Sequence, residues 1–511
     1  VNVRGRTGDE RLGAARFLER AGALALALGV AIAMSAPPTI ATAIPAPPAL
    51  NPGPEQIPAS GGWVGLISAI LVALGRRPSA STGSRSAPGP SLTGRAWSTF
   101  RRQGRSSSTA VAPASAPEVS DEPTAEVQTV TGIGAVRDIA LSPDGRYAYV
   151  ASQHDRSGGD ACTVKVVDTA VNAVIKNIDD LSDVSPTSLA VSPDSSRLYV
   201  ADRNAAAIRV VDIAAGSPTR NRVVDSLRLE GSLPVGYGTP TSIALSPNGS
   251  RLYAQMSDPA VLVVDPATRV LVGTVAGGDS IAMFAAGERI YVCADDRLGH
   301  TNVTAGVVIL EADTGTELGS FGLNDAPAFI RQPILAGGSG QLYLDIDDLD
   351  GRLEVVDTST LNVVARIKID ASVDRELRSI PAAAVLSLDG RCLYVANQGV
   401  RSSSDEATEV GWVSVVDTGL HEVIHDIALP EAGMGEYQGA NPQFIAISPA
   451  GDRLVVVNEY GIASVIDIAS QSVVSTVTLG QPTDQPRVVI VNPARNAVYV
   501  GGDAGLTVIA L

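Results

Sequence analysis

Residues 421 to 425 read HEVIH, a match to H-E-x-x-H, in which two histidines hold zinc and a glutamate activates water. That chemistry needs a helix, where residues four apart lie within about 6 Å of one another. The surrounding residues point to a turn and a strand instead. VVDTGLHEVIHDI (415 to 427) aligns with VVDTAVNAVIKNI (166 to 178), setting His421 on Asn172, Glu422 on Ala173 and His425 on Lys176. On a strand, residues four apart are separated by about 13 Å, too far for one zinc with bonds of about 2 Å. HEVIH is expected to be a chance match, and no metal site is expected from it.

Other chemistry-bearing residues are scattered. His154 and His300 fall in loops, where surface polarity explains them. DIDDLDG (345 to 351) offers Asp345, Asp347, Asp348 and Asp350 as hard oxygen ligands for calcium, but lacks the 12-residue spacing and terminal glutamate of an EF-hand. GGSGQ (337 to 341) and GDS (278 to 280) suggest serine hydrolases, yet both map onto a strand or its hairpin rather than a strand-to-helix elbow. Cys162, Cys293 and Cys392 lie far apart in the repeat order described next and are expected to be buried free thiols. No catalytic residue and no cofactor emerge.

What must position all of these is a repeat. One phrase returns eight times after residue 124: SPDGRYAYVAS (142 to 152), SPDSSRLYVAD (192 to 202), SPNGSRLYAQ (246 to 255), AAGERIYVCAD (285 to 295), GGSGQLYLD (337 to 345), SLDGRCLYVAN (387 to 397), SPAGDRLVVVN (448 to 458) and NPARNAVYVGG (492 to 502). Pro and Gly make each opening a turn, and the apolar alternation around it makes a hairpin. A second phrase follows, such as VKVVD (164 to 168) or VSVVD (413 to 417), giving a third strand whose last aspartate can bond the following turn. AVIKNI (173 to 178), NVVARI (362 to 367) and SVVSTV (472 to 477) supply a fourth.

Four short antiparallel strands repeated radially predict an all-β fold, a β-propeller of eight four-stranded blades, with seven as the alternative count. The eighth set ends on its third strand at Leu511. AEVQTV (125 to 130) has the fourth-strand pattern and is expected to close the ring by pairing in the last blade.

SPDG, LYVAN (393 to 397) and VVDT (415 to 418) resemble the YVTN-repeat, YncE-like β-propeller family. The resemblance covers residues 125 to 511 and weakens in blades four and five, where SPDG is degraded. It implies a propeller and export, with seven blades the familiar number, and it implies no single activity.

The residues that begin the inner strands are expected to form a ring at one channel mouth: Arg137, Thr187, Thr241, Asp279, Arg331, Ala382, Gln443 and Arg487. Blades one and eight are neighbours, so Arg137 and Arg487 come together, with Arg331 across the channel. Guanidinium forks suit carboxylate and phosphate, which makes Arg137, Asp279, Arg331, Gln443 and Arg487 the candidate ligand-binding positions. The alternative is that each arginine pairs with a nearby acid such as Asp138 or Asp484.

Charge and the N-terminal region set the context. Residues 1 to 124 hold 12 Arg, no Lys and 7 acidic residues, leaving 26 basic against 47 acidic, net −21, for the repeats. That excess argues against nucleic acid as a partner. Three Lys beside 35 Arg, with Val1 where Met is expected, suggest a GTG start in a high-GC bacterial genome. Five arginines precede the apolar run AGALALALGVAIAM (21 to 34), and ATA (41 to 43) offers a cleavage site, so residues 1 to 43 read as a signal peptide. No cysteine precedes Cys162, which excludes a lipid-modified cysteine there.

Residues 44 to 124 read as a Pro/Ser/Ala/Arg-rich linker. Within it, 61 to 75 is a short apolar segment that could lie on a membrane surface. The expected function is an exported, non-enzymatic scaffold of the cell envelope or exterior, a monomer binding a protein, an envelope polymer or an anionic small molecule at the channel mouth. The alternative is a propeller hydrolase of the lactonase type, which needs acid, base and cationic residues convergent at the mouth. Four histidines in 511 residues favour the first.

Overall fold

The structure, a computed structural model, describes residues 126–511 apart from 154–161, 183, 229–237, 259, 277–279, 287, 296–305, 323–328, 337–339, 348–350, 370–376, 402–408, 431, 435–436 and 482–483; along parts of several strands it describes the backbone alone. Residues 1–43, read above as a signal peptide, residues 44–124, read as a linker with the segment 61–75, and His154 and His300 lie outside the described residues.

Eight sheets follow one another along the chain, each built on four antiparallel strands. Blade one is typical, with strands Val136–Leu141, Tyr147–Gln153, Cys162–Asp168 and Ala173–Ile178 paired in that order. The inner strands of blades two to eight are Pro186–Val191, Pro240–Leu245, Ser280–Ala286, Phe329–Ala336, Leu377–Leu386, Pro442–Ile447 and Pro486–Asn492. Each packs against the next, and the last against the first, so the sheets form a closed eight-bladed β-propeller. The closing strand is Val127–Val130, which pairs with Gly505–Ala510 in the register Val127↔Ile509 to Val130↔Leu506.

The repeated phrases do what their chemistry predicts. In blade one Ser142 Oγ donates to Asp144 Oδ1 at 2.6 Å and accepts the Tyr147 amide at 2.9 Å, while Gly145 takes φ 65°. Ser195 holds the same left-handed position in blade two at φ 57°, whereas in blade eight the left-handed residue comes one later, Asn496 at φ 47°. The third-strand aspartates cap the next turn: Asp168 accepts the Ala170 amide, Asp265 those of Ala267 and Thr268, and Asp417 those of Gly419 and Leu420.

The core lies between blades, because each sheet buries both faces against its neighbours. Tyr149 and Val164 of blade one pack with Leu189, Leu198 and Val211 of blade two. At the seam that closes the ring, Val488 and Tyr499 of blade eight pack with Ile139 and Val150 of blade one.

Blade six departs from the expected four strands. Its inner strand and the next, Cys392–Arg401, run ten residues each, and the short strands Ala432–Met434 and Tyr437–Gly439 add to its sheet. The inner strand thus begins at Leu377, so Ala382 sits inside it rather than at its start as the repeat count had implied. The degraded turns of blades four and five still leave complete four-stranded sheets. Among the described residues no helix is long and apolar enough to cross a membrane.

Candidate functional site

An inner strand has a ladder partner on one side only, so its other edge presents unpaired amides and carbonyls to the channel. Side chains of adjacent blades satisfy several of them. Asp138 Oδ2 accepts the Leu189 amide of blade two at 2.7 Å, and Ser188 Oγ that of Ile243 in blade three at 3.3 Å. Thr187 Oγ1 donates to the Pro240 carbonyl at 2.9 Å, and Gln398 Nε2 to that of Pro442 at 3.0 Å. These bonds fasten neighbouring blades to one another around the channel.

The inner strand also carries a β-bulge, near its start in most blades and inside the longer strand of blade six. The ladder shifts by one residue between Val136 and Asp138, Pro186 and Ser188, Pro240 and Ser242, Pro381 and Ala383, Pro442 and Phe444, and Pro486 and Val488. The extra residues are Arg137, Thr187, Thr241, Ala382, Gln443 and Arg487, six of the eight ring positions anticipated from the repeat. Each is partly exposed between two buried neighbours. A bulge turns one side chain out of the alternation, and here it does so at the channel mouth. Blade five shifts between Ile330 and Pro333, around Arg331, whose side chain is not described. Blade four has no shift from Ser280 to Ala286, and Asp279 lies outside the described residues.

Blades one and eight bring Arg137 and Arg487 together. Burial holds the Arg137 guanidinium pKa below its ordinary value, the Arg487 charge beside it acts in the same direction, and Asp503 opposes both. Arg487 forms a two-pronged ion pair with Asp503, at 2.9 Å from Nε and 3.2 Å from Nη2. Asp138, a partner suggested by its place in the chain, is fully enclosed and bonds the Ile139 and Leu189 amides.

The repeat count missed a second set of mouth residues. The residue after the second strand donates its amide to the carbonyl of the residue preceding the inner strand: Arg203 to Ser185, Ser257 to Thr239, Glu459 to Asn441 and Asp503 to Gln485. Glu459 accepts from Asn441 Nδ2 at 2.7 Å and from Gln485 Nε2 of blade eight at 3.1 Å. Two carboxylates in successive blades therefore stand at the same mouth as Arg487. Their signal was present in VVNE and YVGGD, just beyond the strands that define the repeat.

HEVIH lies on a turn and an edge strand, not on a helix. His421 occupies the third-to-outer turn at φ 56°, and Glu422–Ala428 is the outer strand, with Glu422 and His425 exposed. The His421 ring packs against Tyr343 of blade five, centroids 6.3 Å apart and planes tilted by 51°. The matching residue closes other seams too. Asn172, at φ 49°, accepts from the Tyr499 hydroxyl at 2.9 Å, and Arg269, at φ 64°, pairs with Asp225 of blade two. Among the described residues no three His, Cys, Asp or Glu side chains are grouped to hold a metal ion.

Asp345 and Asp347 lie on the strand Gln341–Asp347 with side chains not described, and Asp348 and Asp350 fall outside the described residues. Cys162 and Cys293 are buried free thiols as expected, burial raising the Cys293 pKa, but Cys392 is only half-buried. Of the serine motifs, Ser280 begins the blade-four inner strand and Gln341 a second strand, so neither described part is an elbow.

A family model described as lactonase, 7-bladed beta-propeller, matches residues 118–290, from before the closing strand into the first hairpin of blade four. The ring itself has eight blades. No curated protein sequence matches the chain. Among solved structures, Kuenenia stuttgartiensis hydrazine synthase is similar at 18% identity, covering 75% of this chain and 97% of that one with a TM-score of 0.45, too distant to bear on activity.

Proposed function

We propose that the propeller is a non-enzymatic binding scaffold whose ligand brings an anionic group to the channel mouth between blades one and eight. The observation that carries this reading is the juxtaposition of Arg137 and Arg487 on adjoining bulges, where burial and mutual repulsion both disfavour the Arg137 charge. A carboxylate or phosphate placed there offsets that cost through charge-assisted hydrogen bonds, worth about 1.5–3 kcal/mol each. In this reading the chain is an exported, monomeric propeller of the YVTN type, acting in the envelope or outside the cell, with residues 61–75 free to touch a membrane surface.

The test is a thermal-shift screen of anionic small molecules against the purified chain, repeated with Arg137→Ala/Arg487→Ala. Hits should lose about tenfold or more in affinity in the double variant. Unchanged affinity would remove the site from consideration.

A second reading, hydrolysis of a lactone or related ester, is favoured by Asp503 on Arg487, by Glu459 held by the nearby Gln485, and by the family model that matches residues 118–290. Lactone turnover by the wild-type chain that disappears in Glu459→Gln or Asp503→Asn would establish this reading over the first.

A further inference from the structure

The face of the ring opposite this mouth is built by the first-to-second and third-to-outer turns, and it carries another group of cationic side chains. In blades two and three the arginine after the hairpin turn is neutralised within its own blade, Arg197 by Asp212 at 3.1 Å and Arg251 by Asp265 at 3.5 Å. Blade one breaks this pattern. There Tyr147 takes the matching position opposite Asp168, and Arg146, one residue earlier, lays its guanidinium over that ring, 5.4 Å from the centroid. Asp168 accepts the Ala170 amide.

Arg220, from the third-to-outer turn of blade two, reaches the same ring at 5.3 Å, and its charge acts on Tyr149. Arg495, from the hairpin turn of blade eight, donates from Nε to Thr169 Oγ1 at 3.2 Å. That hydroxyl bonds the Gly145 and Arg146 carbonyls at 2.7 and 3.1 Å, which sets Arg495 beside the Arg146 backbone. Arginines from three successive blades are therefore anchored around Arg146 and Tyr147, two on the ring and one through Thr169. Among the described residues none of them has a carboxylate at ion-pair distance.

A second observation points to a missing acceptor. Arg220 Nε is buried and has no hydrogen-bond partner. Buried donors without acceptors are rare in native proteins because they give up water and gain nothing in return. Aspartates are abundant in this chain, so leaving three arginines without one is not a matter of composition. Contact with the tyrosine ring steadies the Arg146 and Arg220 planes by cation–π attraction and leaves edge N–H groups available.

We infer that Arg146, Arg220 and Arg495 form a second binding site, on the face opposite the Arg137 mouth, for a tetrahedral oxyanion: a phosphate or sulfate group carried by a larger ligand. The site shares no residue with the channel mouth, so the two proposals stand or fall separately.

Calorimetric titration of the full chain with inorganic phosphate and inorganic sulfate, at an ionic strength fixed with chloride, tests the inference. The wild type should bind saturably. Arg146→Gln/Arg495→Gln, which alters two exposed side chains, should weaken binding by tenfold or more with an unchanged melting temperature, and Arg220→Gln should do the same if it remains folded. Arg137→Ala/Arg487→Ala should bind as the wild type does. Co-sedimentation with phosphatidylglycerol vesicles forms a second arm. Vesicle binding lost in Arg146→Gln/Arg495→Gln assigns the group to a lipid headgroup, whereas phosphate binding without vesicle binding assigns it to a soluble ligand. Either result supports the site. No saturable binding in either arm, or wild-type affinity in the folded double variant, overturns it.

Discussion

A carboxylate at the end of the third strand is the smallest device that holds a blade together. Asp212 accepts from Ser217 Oγ and Thr219 Oγ1, both at 2.6 Å, and from the Ala214 amide. These bonds favour the ionised form and pull its pKa down to about 2. Since the unfolded value is about 4, the stabilisation is full above pH 4 and is lost as pH falls through about 2. Chemical denaturation of wild type and Asp212→Asn should therefore differ by about 1 kcal/mol at pH 7 and converge near pH 2. Asp357, held by Ser359 and Thr360, repeats the arrangement in blade five, with a pKa likewise near 2.

Asp138 has the opposite sign. Burial raises its pKa to about 7 against the pull of the Leu189 and Ile139 amides. Below about pH 4 both folded and unfolded forms are protonated. As pH rises from there to about 7 the unfolded chain ionises first, so folding stability falls and then levels off. The wild type should lose about 1 kcal/mol or more between pH 5 and pH 8, whereas Asp138→Asn should show a flatter profile in urea denaturation over that range. A parallel decline in the two proteins would show that another group is responsible.

At the scale of elements, irregularities decide which side chains the strands present. Inner-strand bulges present Arg137 and Arg487 at the channel mouth, as described above. Outer strands have bulges as well: the ladder shifts around Ile175, Val224, Val272, Leu318, Val364, Ile424 and Val474, and each of these is exposed. An edge strand broken in this way is a poor template for a second chain, which makes exposed aliphatic residues tolerable there.

The turn leading into each outer strand has its own requirement. Its left-handed residue must also fit the seam with the preceding blade, as His421 does on Tyr343. His421→Asn, which installs the residue of blade one, should retain the melting temperature. His421→Val should cost about 1–2 kcal/mol, because a β-branched residue resists positive φ. Neither change should alter metal content, and elemental analysis should find no stoichiometric zinc. One zinc per chain, lost in His421→Asn, would restore the metal reading.

For the whole molecule the decisive event is closure. Each blade buries its faces against two neighbours, so an open ring would expose the seam formed by Ile139, Val150, Val488 and Tyr499. The strand Val127–Val130 joins the segment just before blade one to the last blade, and Val130 is 2% exposed. Burying one such side chain contributes about 1.5–3 kcal/mol, and the ladder with Gly505–Ala510 adds to it. Removing residues 1–131 should therefore lower the melting temperature by several degrees relative to removing residues 1–120. Equal melting temperatures for the two truncations would show that the ring closes without this strand.

The blade count, the strand order and the closing strand were legible in the sequence, because turn residues and alternating apolar positions act locally and recur at every repeat. The same local logic placed HEVIH on a turn and an edge strand. Six of the ring positions could be counted out from the repeat. What the repeat could not reveal was that they occupy bulges, since a one-residue slip in pairing leaves the apolar alternation of one strand almost unchanged. The extension of blade six, the approach of Glu459 and Asp503 to the mouth, and the gathering of Arg146, Arg220 and Arg495 were decided only by the tertiary structure. The last two depend on side chains from different blades meeting across a seam, and such contacts are set by how the ring closes rather than by spacing along the chain; the blade-six extension uses residues that lie outside the repeated phrases.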